Sequence, residues 1–133
     1  MPIELSYLSA SIALFFVHIG FEAVAANLHH KPKDLLGARD EMPAHSVLIG
    51  RAKRSTQNYI EALMMFVPLV LIAALADRFN DLTALGAAIF FWSRVAYAPV
   101  YWFGVPVIRS FIWVGGLIGT GLVFFQVLPF SGA

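Results

Sequence analysis

Apolar residues run in four long blocks, at roughly 5–27, 57–76, 82–103 and 107–129, separated by polar breaks of very unequal length. Each block supplies the about 20 mostly apolar residues that a helix needs to cross the ~30 Å hydrocarbon core of a bilayer. The pattern predicts four membrane-spanning helices. The first block follows Met1-Pro2-Ile3-Glu4, acidic where a cleaved signal peptide would be basic, and lacks a convincing small-residue cleavage site, so it reads as a retained helix. Residues 28–56 form the one long polar segment, broken by Pro32, Gly37, Pro43 and Gly50. Asp77-Arg78-Phe79-Asn80-Asp81 and Gly104-Val105-Pro106 read as tight turns, and such short links make helices two, three and four antiparallel neighbours. The expected fold class is all-α: an integral membrane four-helix bundle of up-down topology, one domain over residues 1–133.

Composition sharpens this. Of 133 residues 59% are apolar and 13% charged, and the mean hydropathy is +0.76. A water-soluble domain runs nearer a quarter charged, so an ordinary globular enzyme and a disordered tail are excluded. A net charge of +1 without a basic block argues against nucleic acid as a partner. With no cysteine, disulfides, thiolate metal sites and a cysteine nucleophile are excluded. Any thiol chemistry must use a sulfur carried by the ligand.

The long loop holds Lys31, Lys33, Arg39, Arg51, Lys53 and Arg54, whereas the 77–81 turn holds one Arg. The positive-inside rule therefore places the long loop in the cytoplasm and both termini opposite. Gly115, Gly116, Gly119, Thr120 and Gly121 give the fourth helix a small-residue strip, which reads as a packing seam because small residues let helix backbones approach closely.

Ionisable groups inside a bilayer cost several kcal/mol unless they face a partner or a wet cavity. Arg51, Arg54, Asn58 and Glu61 at the start of the second helix have offsets of 0, 3, 7 and 10, one helical face. Arg94, Tyr97 and Tyr101, with offsets 0, 3 and 7, share a face of the third helix, and Arg109 opens the fourth. Arg54 to Glu61 and Arg94 to Tyr101 each span about 10 Å of rise. Antiparallel packing then brings Tyr101 level with Arg54, with Glu61 and Arg94 as natural partners deeper in. Mutual neutralisation would explain Glu61 and Arg94 alone. Three further arginines, an Asn and two tyrosines at the same depth describe a cationic, hydrogen-bonding pocket for an anionic ligand.

His18 and Glu22, four apart on the first helix, are expected to hydrogen-bond between helices rather than act in catalysis, and Asn27 is expected one turn beyond a cavity edge. His29, His30 and His45 lie without a ligand-bearing helix, so no metal is expected. Pro99 deprives the Val95 carbonyl of its helical partner, between the two tyrosines.

The run Arg51-Ala52-Lys53-Arg54-Ser55-Thr56-Gln57-Asn58-Tyr59-Ile60-Glu61 resembles R-x-x-R-x-x-x-N-x-x-E, the second-helix motif of the membrane-associated proteins in eicosanoid and glutathione metabolism, the MAPEG family. Arg94-Val95-Ala96-Tyr97-Ala98-Pro99-Val100-Tyr101, followed by Arg109, resembles that family's third-helix pattern and the Arg opening its fourth helix, and Gly37-Ala38-Arg39-Asp40 resembles the loop of bacterial members. The resemblance implies a homotrimer that binds glutathione, as co-substrate, between neighbouring subunits near the cytoplasmic surface. Arg54, Asn58, Glu61, Arg94, Tyr97 and Tyr101 match positions lining the glutathione site, Arg51 matches the leading motif Arg and is expected to bind glutathione with Arg54 as a clamp on its carboxylates, and Arg109 matches the Arg near the sulfur. Ala62 stands where leukotriene-forming members carry Tyr, which points away from that specialised reaction.

The expected function is a glutathione transferase or peroxidase acting on small hydrophobic electrophiles or lipid peroxides that arrive through the membrane lipid. A non-enzymatic lipid-binding accessory protein of the same family is the first alternative. A small four-helix multidrug exporter using Glu22 is the second, although such an exporter has no need of the arginine-rich pocket. The short chain fits a bacterial inner membrane.

Overall fold

A computed structural model describes residues 1–29 and 47–129. Four helices make up these segments: α1 (Ile3–His29), α2 (Val47–Leu75), α3 (Asp81–Trp102) and α4 (Pro106–Gln126). The second helix begins about ten residues before the expected start at 57. Hydropathy detects only the part of a helix that lipid can cover, and the polar turns carrying Arg51 and Arg54 project beyond it. The remaining long-loop residues, including His30, His45 and the loop's acidic groups, lie outside the described residues, as does the side chain of His29.

Interhelical hydrogen bonds give the topology. His18 to Ser55 and Tyr59 to the Ser11 carbonyl run α1 antiparallel to α2. Arg54 to Tyr101 and Arg94 to Asn58 do the same for α2 and α3, and Asn80 to Gln126 for α3 and α4. The buried Glu4 carboxylate accepts from Thr83 Oγ1 at 2.7 Å, pinning the start of α1 beside the start of α3. The expected all-α, up-down bundle is the fold.

Both short turns close by the same device. After α2, Arg78 N–H donates to the Ala73 carbonyl and Asp77 N–H to Ala74, with Asp77 at φ 55°. After α3, Val105 N–H donates to Val100 and Gly104 N–H to Tyr101, with Gly104 at φ 75°. This paired pattern around one left-handed residue satisfies the last carbonyls of a helix. Asn80 then caps α3, its Oδ1 accepting from the Leu82 and Thr83 amides, while Pro106 starts α4 where its missing N–H costs nothing.

The core is Tyr59, Leu63, Phe66, Val70, Ala87, Phe90 and Val123, with Phe66 and Phe90 stacked at 3.9 Å. The small-residue strip is a seam where α4 meets α3. A Cβ on Gly119 would lie 2.6 Å from the Gly86 carbonyl oxygen, so backbone meets backbone there, whereas Gly121 faces open space. Large apolar side chains such as Phe16, Leu28, Trp92, Phe111 and Phe125 lie exposed around the outside, an arrangement suited to lipid rather than water.

Three of the four helices, α1, α2 and α4, are long and apolar enough to cross a membrane. The expected fourth, α3, has the length at 22 residues but carries Ser93, Arg94, Tyr97, Pro99 and Tyr101. Arg94 and Tyr97 are buried within the bundle, so this helix turns the charge in its interior away from the outside.

Candidate functional site

The α2 and α3 stripes meet where the register predicts. Arg54 Nε donates to the Tyr101 hydroxyl at 3.2 Å, so these two residues do share a depth. The Arg109 guanidinium lies 4.8 Å from the centroid of the same Tyr101 ring. One tyrosine thus organises two cations, by its oxygen and by its face. The Tyr97 ring sits 5.5 Å from Tyr101.

Arg94 lies deeper and is only 2% exposed. Its guanidinium carbon is 4.0 Å from the Tyr97 ring centroid and 5.2 Å from that of Tyr59, and Nη1 donates to Asn58 Oδ1 at 2.8 Å. Among the described residues Nε and Nη2 have no hydrogen-bond partner, so aromatic faces take the place of acceptors around this cation.

The anticipated Glu61–Arg94 ion pair does not form. Arg94 reaches Asn58, one turn nearer the mouth, and Glu61 accepts instead from Gln57 Nε2 at 3.4 Å on its own helix. Equal stripe lengths fix which faces meet, but a flexible arginine chooses among acceptors a turn apart, and Asn58 is the nearer. Glu61 and Arg94 still line one small cavity of about 100 Å³, with Asn58, Phe90, Trp113 and Thr120. A larger, more open cavity of about 400 Å³ is lined by Asn58, Tyr97, Arg109, Ser110, Trp113 and Val114. Asn58 and Trp113 border both, so the two adjoin. Arg51, Arg54 and Tyr101 border neither; the Arg51 guanidinium lies against Gly104.

Trp113 and Ser110, which line the larger cavity, escaped the sequence reading, and so did Tyr59, which supports Arg94 from outside both cavities. Tyr59 adjoins the motif Asn, yet its ring is fully buried under Arg94, a position that the polar stripe does not reveal. Trp113 is one turn beyond Arg109, a spacing that helical periodicity does offer.

His18 makes the expected interhelical bond. Its Nδ1–H donates to the Leu14 carbonyl at 3.1 Å, and Nε2 hydrogen-bonds with Ser55 Oγ at 3.3 Å. Its ring also stacks on Tyr59 at 4.9 Å. Asn27 bonds within its own helix, to the Ala23 carbonyl.

Chemically, Arg94, Arg109, Tyr97 and Asn58 line the two adjoining cavities, Glu61 supplies a carboxylate to the smaller one, and Arg54 and Tyr101 stand next to them through the Arg54–Tyr101 bond and the Arg109–Tyr101 contact. That set favours an anion bearing several hydrogen-bonding groups. No curated protein and no solved structure matches the chain. The sequence does match the family model for MAPEG over residues 5–128, nearly its whole length, and on that match together with its four-helix fold the chain belongs to the MAPEG family.

Proposed function

We propose that this protein is a membrane-bound glutathione transferase or peroxidase, which activates the glutathione thiol as thiolate and delivers it to small hydrophobic electrophiles or lipid peroxides. The observation that carries the reading is the convergence of Arg54, Arg94 and Arg109 on Tyr97, Tyr101 and Asn58 beside a cavity of about 400 Å³. That volume falls in the usual range for small-molecule sites. The active form is a homotrimer with glutathione between subunits. The site faces the cytoplasmic side of a bacterial inner membrane, as the Lys and Arg bias of the long first loop supports.

In this reading Arg54 holds a glutathione carboxylate, Glu61 pairs with the ammonium group, and Tyr97, Tyr101 and Asn58 orient the peptide. Arg94 acts from behind them. Arg109 donates to the sulfur. A thiol with a pKa of about 8.5 is only a few per cent thiolate at neutral pH, and making it mostly thiolate takes a shift of about two units, near 2.7 kcal/mol. One charge-assisted hydrogen bond, worth about 1.5–3 kcal/mol, is of that size. In transfer, the sulfur lone pair forms the S–C bond while the displaced group leaves with its electrons and takes up a proton. In peroxide reduction the sulfur lone pair bonds the terminal oxygen, the O–O bond breaks, and the alkoxide leaves with its electron pair and takes up a proton to give the alcohol; a second glutathione then condenses with the sulfenic acid to give the disulfide and water.

The test is an ultraviolet thiolate difference spectrum of the detergent-purified protein titrated with glutathione near neutral pH. A saturable thiolate signal is expected. In Arg109→Ala, glutathione should still bind while the pKa of the bound thiol rises by about one to two units. Saturable binding without thiolate in the wild type would favour the accessory-protein reading, and no binding at all would overturn the glutathione site.

Glu61→Gln should weaken glutathione binding about tenfold, as expected from losing one ionic partner worth near 1.4 kcal/mol, or else lower the stability of the trimer. Titration and a thermal melt read the two separately. A variant unchanged in both removes Glu61 from the site.

A further inference from the structure

Arg51 reaches the α3–α4 turn. Like Arg54 it borders neither cavity of the site, and its guanidinium occupies the space beside Gly104 where any other residue would carry a side chain. A Cβ built on Gly104 would fall 2.5 Å from Arg51 Cζ, 2.6 Å from Nη2 and 2.9 Å from Nη1. Gly104 is also the left-handed residue of the α3–α4 turn, at φ 75°. Conformation selects glycine here, and the absent side chain leaves room that a cation from another helix fills.

That cation has a local purpose. α3 has no basic residue in its own last turn, and a positive group near the carbonyl end of a helix is favourable. Arg51 supplies that charge from α2. The turn it leans on separates the two residues that the site most needs in register: Tyr101 in the last turn of α3, and Arg109 in the first turn of α4. Arg54, one turn after Arg51, bonds the Tyr101 hydroxyl, so the two arginines grip the end of α3 at successive levels.

We propose that Arg51 is a positioning residue: it docks the Gly104 turn against α2 and thereby sets the placement of Arg109 relative to Tyr101, without contacting the ligand. The proposal rests on the glutathione reading for what Arg109 does, but the docking itself does not depend on it.

The experiment compares wild type, Arg51→Ala, Arg51→Lys, Gly104→Ala and the Arg51→Ala/Gly104→Ala double variant, purified in one detergent. Glutathione titrations read the half-saturating concentration and the thiolate absorbance at saturation as separate quantities, and thermal melts read stability. Arg51→Ala and Gly104→Ala should each cut the saturating thiolate signal several-fold while moving half-saturation by less than about threefold. Arg51→Lys should recover most of the signal. The double variant should lose less than the sum of the two singles: alanine at φ 75° stays strained, but without the guanidinium the added methyl has nothing to displace. A tenfold or larger weakening of binding with full thiolate at saturation would make Arg51 a direct clamp and overturn the proposal, as would simple additivity of the two losses. If wild type gives no thiolate signal, the glutathione reading has failed, and the melts decide the docking alone: coupled losses of stability support it and independent losses overturn it.

Discussion

Gly119→Ala should destabilise the protein more than any other single added methyl in α4. The new Cβ would lie 2.6 Å from the Gly86 carbonyl oxygen and 2.6 Å from the Phe90 amide nitrogen. Both are backbone atoms, so no rotamer change relieves the clash; α3 and α4 have to separate. Contact distances between heavy atoms are about 3.5–4.0 Å, which puts the required movement on the order of 1 Å. The consequences spread along the seam. Phe90 and Val123 belong to the core cluster, and the Arg94 Cδ lies close over Gly116, one turn before Gly119. The expected loss is at or above the upper end of the roughly 1–3 kcal/mol typical of overpacking, read as a lowered unfolding midpoint in detergent. Gly121→Ala is the matched control. Nothing lies within 4 Å of its added Cβ, and alanine is the better helix former by about 0.8–1.0 kcal/mol, so that variant should hold or gain stability. Equal behaviour of the two variants would mean the Gly86–Gly119 contact is not where α3 and α4 are closest.

The same seam marks how far sequence reading carries. The small-residue strip on α4 is visible as a pattern, but its partner Gly86 is not, because one glycine in Leu85-Gly86-Ala87-Ala88 carries no period of its own. The turn at Gly104-Val105-Pro106 is legible to the residue, since a glycine past one helix end and a proline at the next start each have a single good backbone solution. The faces bearing Arg54, Asn58, Arg94 and Tyr101 follow from 3.6-residue periodicity and antiparallel topology, and they do meet. Which atoms meet does not follow. Opposite charge suggested Glu61 for Arg94, yet in a tightly packed interior reach and ring faces decide, and Asn58, Tyr97 and Tyr59 take the guanidinium. Likewise Arg51 and Arg54 are equivalent on a helical wheel. One turn of rise sends the first to a backbone turn and the second to a hydroxyl.

Replacing Arg94 should separate stability from function. A buried cation is expensive: taking it out of water costs several kcal/mol, repaid only in part by one hydrogen bond and two aromatic faces. Arg94→Leu removes that cost and leaves Asn58, which is half-buried, able to find water. The unfolding midpoint should therefore stay level or rise. Glutathione affinity should fall about ten- to a hundredfold, corresponding to about 1.4–2.8 kcal/mol, because Asn58 and Tyr97 lose the group that holds them and the cavity loses a positive charge in a low-dielectric wall. Arg94→Gln distinguishes these two causes. It keeps a donor for Asn58 Oδ1 but no charge, so if the charge dominates it should bind as weakly as Arg94→Leu, while Arg94→Lys recovers part of the affinity. Wild-type binding by Arg94→Gln would assign the role to the hydrogen bond alone. A sharp loss of stability in Arg94→Leu would instead make this arginine a structural pin, and the burial that now argues for a supporting role behind the pocket would count against any part in binding.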